Sequence, residues 1–262
     1  MQLNIFKDYQ TLSHHVAEAI LETVKNNPTA VLCLATGDTP RFAYELMAKR
    51  GIAEKVDFTH CTFIGLDEWV GIPPQNKGSC RFFLESHIFK PLHIQASRVH
   101  AFDAMFEDPL LECSKIDKII VEKGGIDLVL VGVGMNGHIG FNEPGVSPDK
   151  DAHVINLDET TQTVGQKYFP KAATLKQGIT LGLRQVLQSR KLIMVANGTK
   201  KAEVIKKALE GEINVSMPAS FIRNHPQGQT MIDEDAGALL NLRLVSNRMV
   251  VHHKSDIFQN NQ

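Results

Sequence analysis

The sequence predicts an α/β fold: one open, mostly parallel sheet with helices on both faces. Three observations predict it. Strand-like and helix-like segments alternate along the chain, as they do where helices cover a parallel sheet. Residues 126–133, IDLVLVGV, have the length and branching of a strand buried on both faces. That run ends in glycines, after which Asn136, His138, Asn142 and Glu143 crowd together. They must emerge at the strand's carboxyl end, where open parallel sheets bind ligands.

Length and composition favour a single domain. The 262 residues suffice for one large α/β domain, and no Pro/Ser-rich linker, charge block or repeat divides them. The domain is expected to span residues 1–256, followed by a polar tail over 257–262. A formal net charge of −1 gives no reason to expect nucleic acid or an anionic membrane as partner. The first residues carry charges and no signal-peptide core, and no later run is apolar for long enough to span a bilayer, so a cytoplasmic protein is expected. Cys33, Cys61, Cys80 and Cys113 are widely separated, with no C-x-x-C pair, which argues against zinc and against a disulfide scaffold. The histidines show no H-E-x-x-H or equivalent spacing, so no catalytic metal is expected.

In order, segment 8–26 carries Leu12, Val16, Ile20 and Val24 at a four-residue spacing that makes one helical stripe. Residues 30–35 read as the first strand. The turn Thr36-Gly37-Asp38-Thr39-Pro40 leads into a helix with Thr39 as N-cap and Pro40 at its first position, closed by Gly51. Residues 62–68 read as one strand, 80–89 as a helix and 99–102 as a short strand. A helix over 110–123 ends at Gly124-Gly125. Beyond the central strand, 153–157 resembles a strand, 178–187 a loop then a helix, 192–196 a strand, and 200–210 a helix stopped by Gly211. Residues 220–224 add a helical turn, and 243–252 has strand character on either side of Ser246-Asn247.

The central block satisfies G-x-G-x-x-G over 132–137, GVGMNG. A dinucleotide fingerprint needs a helix opening at the third glycine, but HIGFNEPG follows, and its glycines and proline oppose one. The loop holding Thr36, Gly37, Asp38 and Thr39 presents helix N-terminal amides and is a candidate phosphate cradle. Many such turns serve capping alone, and the Asp38 carboxylate would repel phosphate unless it points away. Alternation in 62–68 puts Phe63, Gly65 and Asp67 on one face and Ile64, Leu66 and Glu68 on the other, so the two acids diverge. Asp67 continues the face where Gly65 leaves room for a ligand, while Glu68 turns toward a neighbouring element. Trp69 reads as packing beside the site. A lone acid at a strand end is more often a cap or an ion-pair partner; with His138 and Glu143, Asp67 completes a carboxylate base, a proton-relaying imidazole and a second acid. Neither a nucleophile elbow nor a P-loop occurs. Acid/base chemistry on a small phosphorylated substrate is therefore expected, with Lys201, after the turn Asn197-Gly198-Thr199, as a charge for phosphate. Lys200 and Lys206 keep the solvated surface as their default.

With these loops in view, the chain resembles the glucosamine-6-phosphate deaminase/isomerase family, most closely its galactosamine-6-phosphate branch. The likeness covers nearly the whole length and rests on LATGDTP (34–40), LDEWVG (66–71), GVGMNGHIGFNEPG (132–145), GITLGL (178–183) and MPASFI (217–222). It implies a Rossmann-like fold of the type shared with 6-phosphogluconolactonases. It also implies that a 2-amino-2-deoxyhexose 6-phosphate opens its ring, a proton moves from C2 to C1, and the resulting imine is hydrolysed to a ketohexose 6-phosphate and ammonia. By this resemblance Asp67 carries the proton, His138 oriented by Glu143 opens the ring, and the loop 37–39 with Lys201 takes the phosphate. No cofactor is implied, because the substrate's own carbonyl acidifies the C2 proton. The implied partner is a small hexosamine 6-phosphate; family members are often oligomers, so a homo-oligomer is an option the sequence leaves open.

Two departures bear on the substrate. Glucosamine-type members usually carry an aspartate where this chain has Asn136, and an amide can hold the imidazole without stabilising its cation as a carboxylate would. A phosphate-binding position, commonly arginine, aligns with Lys167, which lacks the bidentate fork. With WV after the two acids, these departures point to galactosamine 6-phosphate as substrate and tagatose 6-phosphate as product. Glucosamine 6-phosphate, giving fructose 6-phosphate, is the first alternative. A 6-phosphogluconolactonase is disfavoured by LDEWVG and NEPG, and a non-catalytic sugar-phosphate sensor by the intact Asp67, His138, Glu143 set.

Overall fold

A computed structural model describes residues 1–254, so the expected boundary at 256 and the tail 257–262 lie outside the described residues. β1 (Gln2–Phe6) and α1 (Tyr9–Asn26) open the chain, and β2 (Val31–Leu34) leads into α2 (Asp38–Ala53). Next come β3 (Thr62–Ile64), β4 (Asp67–Trp69), α3 (Cys80–Leu84, continued by a wider helical turn over Glu85–Phe89), β5 (Val99–His100) and α4 (Pro109–Glu122). The central strand β6 (Leu128–Gly132) is followed by β7 (His153–Asn156), α5 (Glu159–Gly165), β8 (Gln177–Thr180) and α6 (Leu183–Leu187). The chain closes with β9 (Lys191–Ala196), α7 (Ala202–Glu210), β10 (Gly228–Asp233), α8 (Glu234–Gly237), α9 (Leu242–Ser246) and β11 (Val250–Lys254).

The main sheet has eight strands in the order β11-β1-β10-β9-β6-β2-β3-β5, and every neighbouring pair is parallel. β6 lies at its centre because both of its faces are apolar. Leu128 and Leu130 pack with Val16 and Ile20 of α1 and Met47 of α2, while Val129 and Val131 pack with Ile116 of α4 and Ile205 of α7. Each such buried side chain contributes about 1.5–3 kcal/mol. The chain leaves β2 toward β3 on one side and β6 toward β9 on the other. The loops after these adjacent strands therefore part, opening a crevice at their carboxyl ends.

A second, antiparallel sheet, β4-β8-β7, sits beyond those carboxyl ends. Its existence corrects the single strand expected over 62–68. Gly65 N still bonds His100 O of the main sheet at 2.9 Å, and the chain then passes to the small sheet, where Asp67 pairs with Thr180. The absence of a Cβ at Gly65 permits this crossing close to Ala101, which a Cβ would meet at 3.0 Å. Other expectations shift as well. α2 is capped by Gly37 rather than Thr39, so Asp38 and not Pro40 opens the helix. The first part of 243–252 is the helix α9, because the Asn241 side chain accepts from Leu244 N at 3.2 Å; only Val250–Lys254 is a strand, paired with β1. β1, β8 and β10 come from stretches not read as strands. No helix among the described residues is long and apolar enough to cross a membrane.

Candidate active site

A cavity of about 660 Å³ fills the crevice between the carboxyl edge of the main sheet and the small sheet. Asp67 enters it from β4, His138 from the loop after β6, and Thr36 to Thr39 from the turn after β2, while Lys167 and Lys201 complete the wall. Asn136 and Glu143 stand behind His138 and do not line it.

The two acids of LDEWVG diverge, as alternation required. Glu68 is buried at 3% exposure and accepts from the backbone N–H groups of Trp69 (3.0 Å), Cys80 (2.9 Å) and Arg81 (2.8 Å), tying the start of α3 to β4. Asp67 instead faces the cavity, and its buried Oδ1 has no hydrogen-bond partner. Burial, then the neighbouring Glu68 charge, push its carboxyl up to about 7, against a smaller opposing contribution from the Cys80 thiol. A carboxylate so placed is a base poised near neutral pH.

The His138 ring packs on the backbone of Gly134, where any Cβ would overlap it. Its Nδ1 lies 3.1 Å from Thr161 Oγ1 and 3.5 Å from Glu143 Oε2. Asn136 does not touch the imidazole, contrary to expectation. Its amide donates to Glu143 Oε2 at 2.7 Å, since the carboxylate is the stronger acceptor, and its Oδ1 accepts from the His138 backbone N–H at 3.2 Å. Burial pushes Glu143 up, but the His138, Thr161 and Asn136 contacts outweigh it and hold the carboxyl below its ordinary value.

The cationic wall is built from three elements. Gly37 adopts φ 129°, a left-handed conformation that suits glycine, and opens α2 with no side-chain cap. Its neighbours are fixed by long-range bonds: Thr36 donates to Cys80 Sγ at 3.3 Å and Thr39 to Asn197 Oδ1 at 2.6 Å. The Asp38 carboxylate, feared as a repellent, is flanked by Arg41 and Lys167, each at 2.8 Å. Lys201 donates to Val133 O at 2.6 Å; burial and then the Lys167 charge pull its amine down to about 8. Among the described residues no three His, Cys, Asp or Glu side chains gather as a metal site.

Residues 7–232 match the family described as glucosamine-6-phosphate isomerases/6-phosphogluconolactonase. The glucosamine-6-phosphate deaminase of Bacillus velezensis is 36% identical over 231 residues, covering 88% of this chain and 96% of its own. That of Thermoanaerobacter pseudethanolicus is 34% identical over 241 residues, covering 92% and 95%. The chain belongs to the glucosamine-6-phosphate isomerase/6-phosphogluconolactonase family. Within it, the solved structure of a monomeric glucosamine-6-phosphate deaminase superposes with a TM-score of 0.88 at 33% identity, covering 92% of this chain and all (100%) of that one. A 6-phosphogluconolactonase from Trypanosoma brucei, 19% identical with a TM-score of 0.70 and coverage of 91% and 98%, shares the fold.

The strand ends and the turn after the penultimate predicted strand pointed to Asp67, His138 and Lys201 in the sequence, but other residues that build this site carried no signal. Thr161 and Tyr168, which line the cavity, are ordinary residue types outside the motifs. Asp233 accepts from Gly198 N at 2.9 and 3.0 Å and so secures the turn before Lys201, from a strand that was itself not foreseen. Trp69 is packing, as expected: it is 5% exposed, with Phe141 at 4.6 Å and Phe169 at 6.0 Å between ring centroids.

Proposed function

We propose that this protein is an amino-sugar-phosphate deaminase/isomerase whose substrate is a 2-amino-2-deoxyhexose 6-phosphate, glucosamine 6-phosphate foremost. One observation carries the reading: Asp67, with an unpartnered oxygen, and His138, with a held imidazole, line the same cavity as Lys167 and Lys201. The cations and the Gly37 to Thr39 amides hold the phosphate. His138 Nε2 moves the proton between the ring oxygen and the C1 hydroxyl as the pyranose opens. The Asp67 carboxylate then takes the C2 proton, made acidic by the C1 carbonyl; the electron pair passes into the C1–C2 bond as the C1=O π pair moves onto O1, which becomes a hydroxyl by taking a proton from the substrate's own ammonium group. Return of that proton to C1 leaves an imine at C2; water adds there, and ammonia departs. A carboxylate with one buried, unpartnered oxygen is the right base because its proton affinity lies near neutral pH.

The relatives' names favour glucosamine 6-phosphate over the galactosamine 6-phosphate expected from sequence. The galacto epimer stays as a second reading because Asn136 and Lys167 stand where the family's glucosamine-type members usually carry aspartate and arginine. Ammonia release from the two epimeric hexosamine 6-phosphates, with hydrolysis of 6-phosphogluconolactone as a control, tests the proposal. Glucosamine 6-phosphate should be the faster substrate. Faster release from galactosamine 6-phosphate would reverse the epimer assignment, and lactone hydrolysis without ammonia release would overturn the deaminase reading.

A further inference from the structure

We propose that Thr161 is the positioning residue that sets the tautomer of His138, as the middle member of a relay from imidazole to Glu143. This rests on the deaminase reading for its catalytic meaning, but not for its geometry. Thr161 is 5% exposed, and its Oγ1 is nearer to His138 Nδ1 (3.1 Å) than is Glu143 Oε2 (3.5 Å). The Glu143 carboxylate also serves other donors: Oε2 accepts from the Asn136 amide at 2.7 Å, and Oε1 from Asp158 N at 3.3 Å, with acceptor sites left over for the Thr161 hydroxyl. A hydroxyl both accepts and donates, so Thr161 can accept from Nδ1–H while donating to the carboxylate. That arrangement places the neutral imidazole's proton on Nδ1 and leaves the Nε2 lone pair for the substrate. The ring in this position needs a glycine at 134, where any Cβ would overlap it.

The position of Thr161 has a second consequence. It sits on α5, whose cap Asp158 is tied to Glu143 and whose continuation, Gln166–Tyr168, brings Lys167 to Asp38 at the phosphate cradle. One short segment therefore links the grip on phosphate to the set of the imidazole. A sugar phosphate that engages Lys167 steadies the hydroxyl that orients His138.

The test combines two readouts. Nitrogen-15 NMR of the imidazole in the wild-type protein should show the neutral His138 protonated at Nδ1, and Thr161→Val, which removes the hydroxyl at constant shape, should shift the population toward the Nε2–H form. Turnover should fall at least about tenfold in Thr161→Val with little change in KM, part of the ~10²–10⁴-fold that a positioned acid/base contributes, and Thr161→Ser should restore it. An Nε2–H tautomer in the wild type overturns the proposal, even if Thr161→Val fails to fold. So does a Thr161→Ser variant as impaired as Thr161→Val, which would make the role one of shape. Because the NMR readout needs no turnover, a wild type that releases no ammonia would defeat the proposed function and leave the tautomer result to be judged separately.

Discussion

At Asp67 one carboxylate oxygen, Oδ1, combines two properties that ordinary folding would separate, burial and the absence of a hydrogen-bond partner, and both serve a base. Burial raises the Glu68 carboxyl too, against the three backbone N–H bonds it accepts, but those bonds occupy its oxygens and turn it away from the cavity. Asp67, with its carboxyl raised to about 7, becomes competent as pH rises through that value. Lys201, lowered to about 8, loses its positive charge as pH rises through 8 and with it the grip on phosphate. The kcat/KM profile should therefore be bell-shaped, rising near pH 7 and falling near pH 8. In kcat the basic limb should recede, because bound phosphate holds the Lys201 proton. A flat profile from pH 6 to 9 would contradict both assignments. At this scale the sequence was legible where chemistry-bearing residues cluster at one strand end, as at Asp67 and His138. It was silent on Thr161, a common residue whose importance comes only from lying beside an imidazole twenty-three positions away.

Among the elements, β6 was legible because a strand buried on both faces is written as an unbroken apolar run. β8, Gln177–Thr180, was read as a loop because Gly178 weakens any strand reading; Phe141 occupies the space a Cβ would need there. β10, with Gln, Thr and Asp among its six residues, shows no clean period. The break between β3 and β4 escaped the period-2 pattern because alternation continues through Leu66 even though the hydrogen-bond partners change from one sheet to the other. Glu68 is the joint that holds this arrangement, so Glu68→Ala should free the start of α3. Leaving its buried N–H donors unsatisfied should cost about 1–3 kcal/mol, read as a lower denaturation midpoint. An unchanged midpoint would mean that water replaces the carboxylate and that β4 and α3 hold together without it.

For the whole molecule, topology and chemistry coincide. The crevice opens where the connections from β2 and β6 diverge, and the small sheet closes over it to supply Asp67. The open parallel sheet was foreseen and the small antiparallel one was not, because its three strands are short and come from separated parts of the chain. A ligand bridging the two sheets should stabilise the fold by mass action, about 2.7 kcal/mol at a hundredfold excess over Kd. A hexosamine 6-phosphate should thus raise Tm of the wild type and do so far less for Lys201→Ala; equal shifts would remove Lys201 from phosphate binding. The most direct measurement is the rate of ammonia release from saturating glucosamine 6-phosphate by the wild type and by Asp67→Asn, alongside the thermal shift each shows with the same sugar. The wild type should turn over, and the variant should bind yet release ammonia at least about 10²-fold more slowly. Comparable release by the variant would contradict the central role given to this carboxylate.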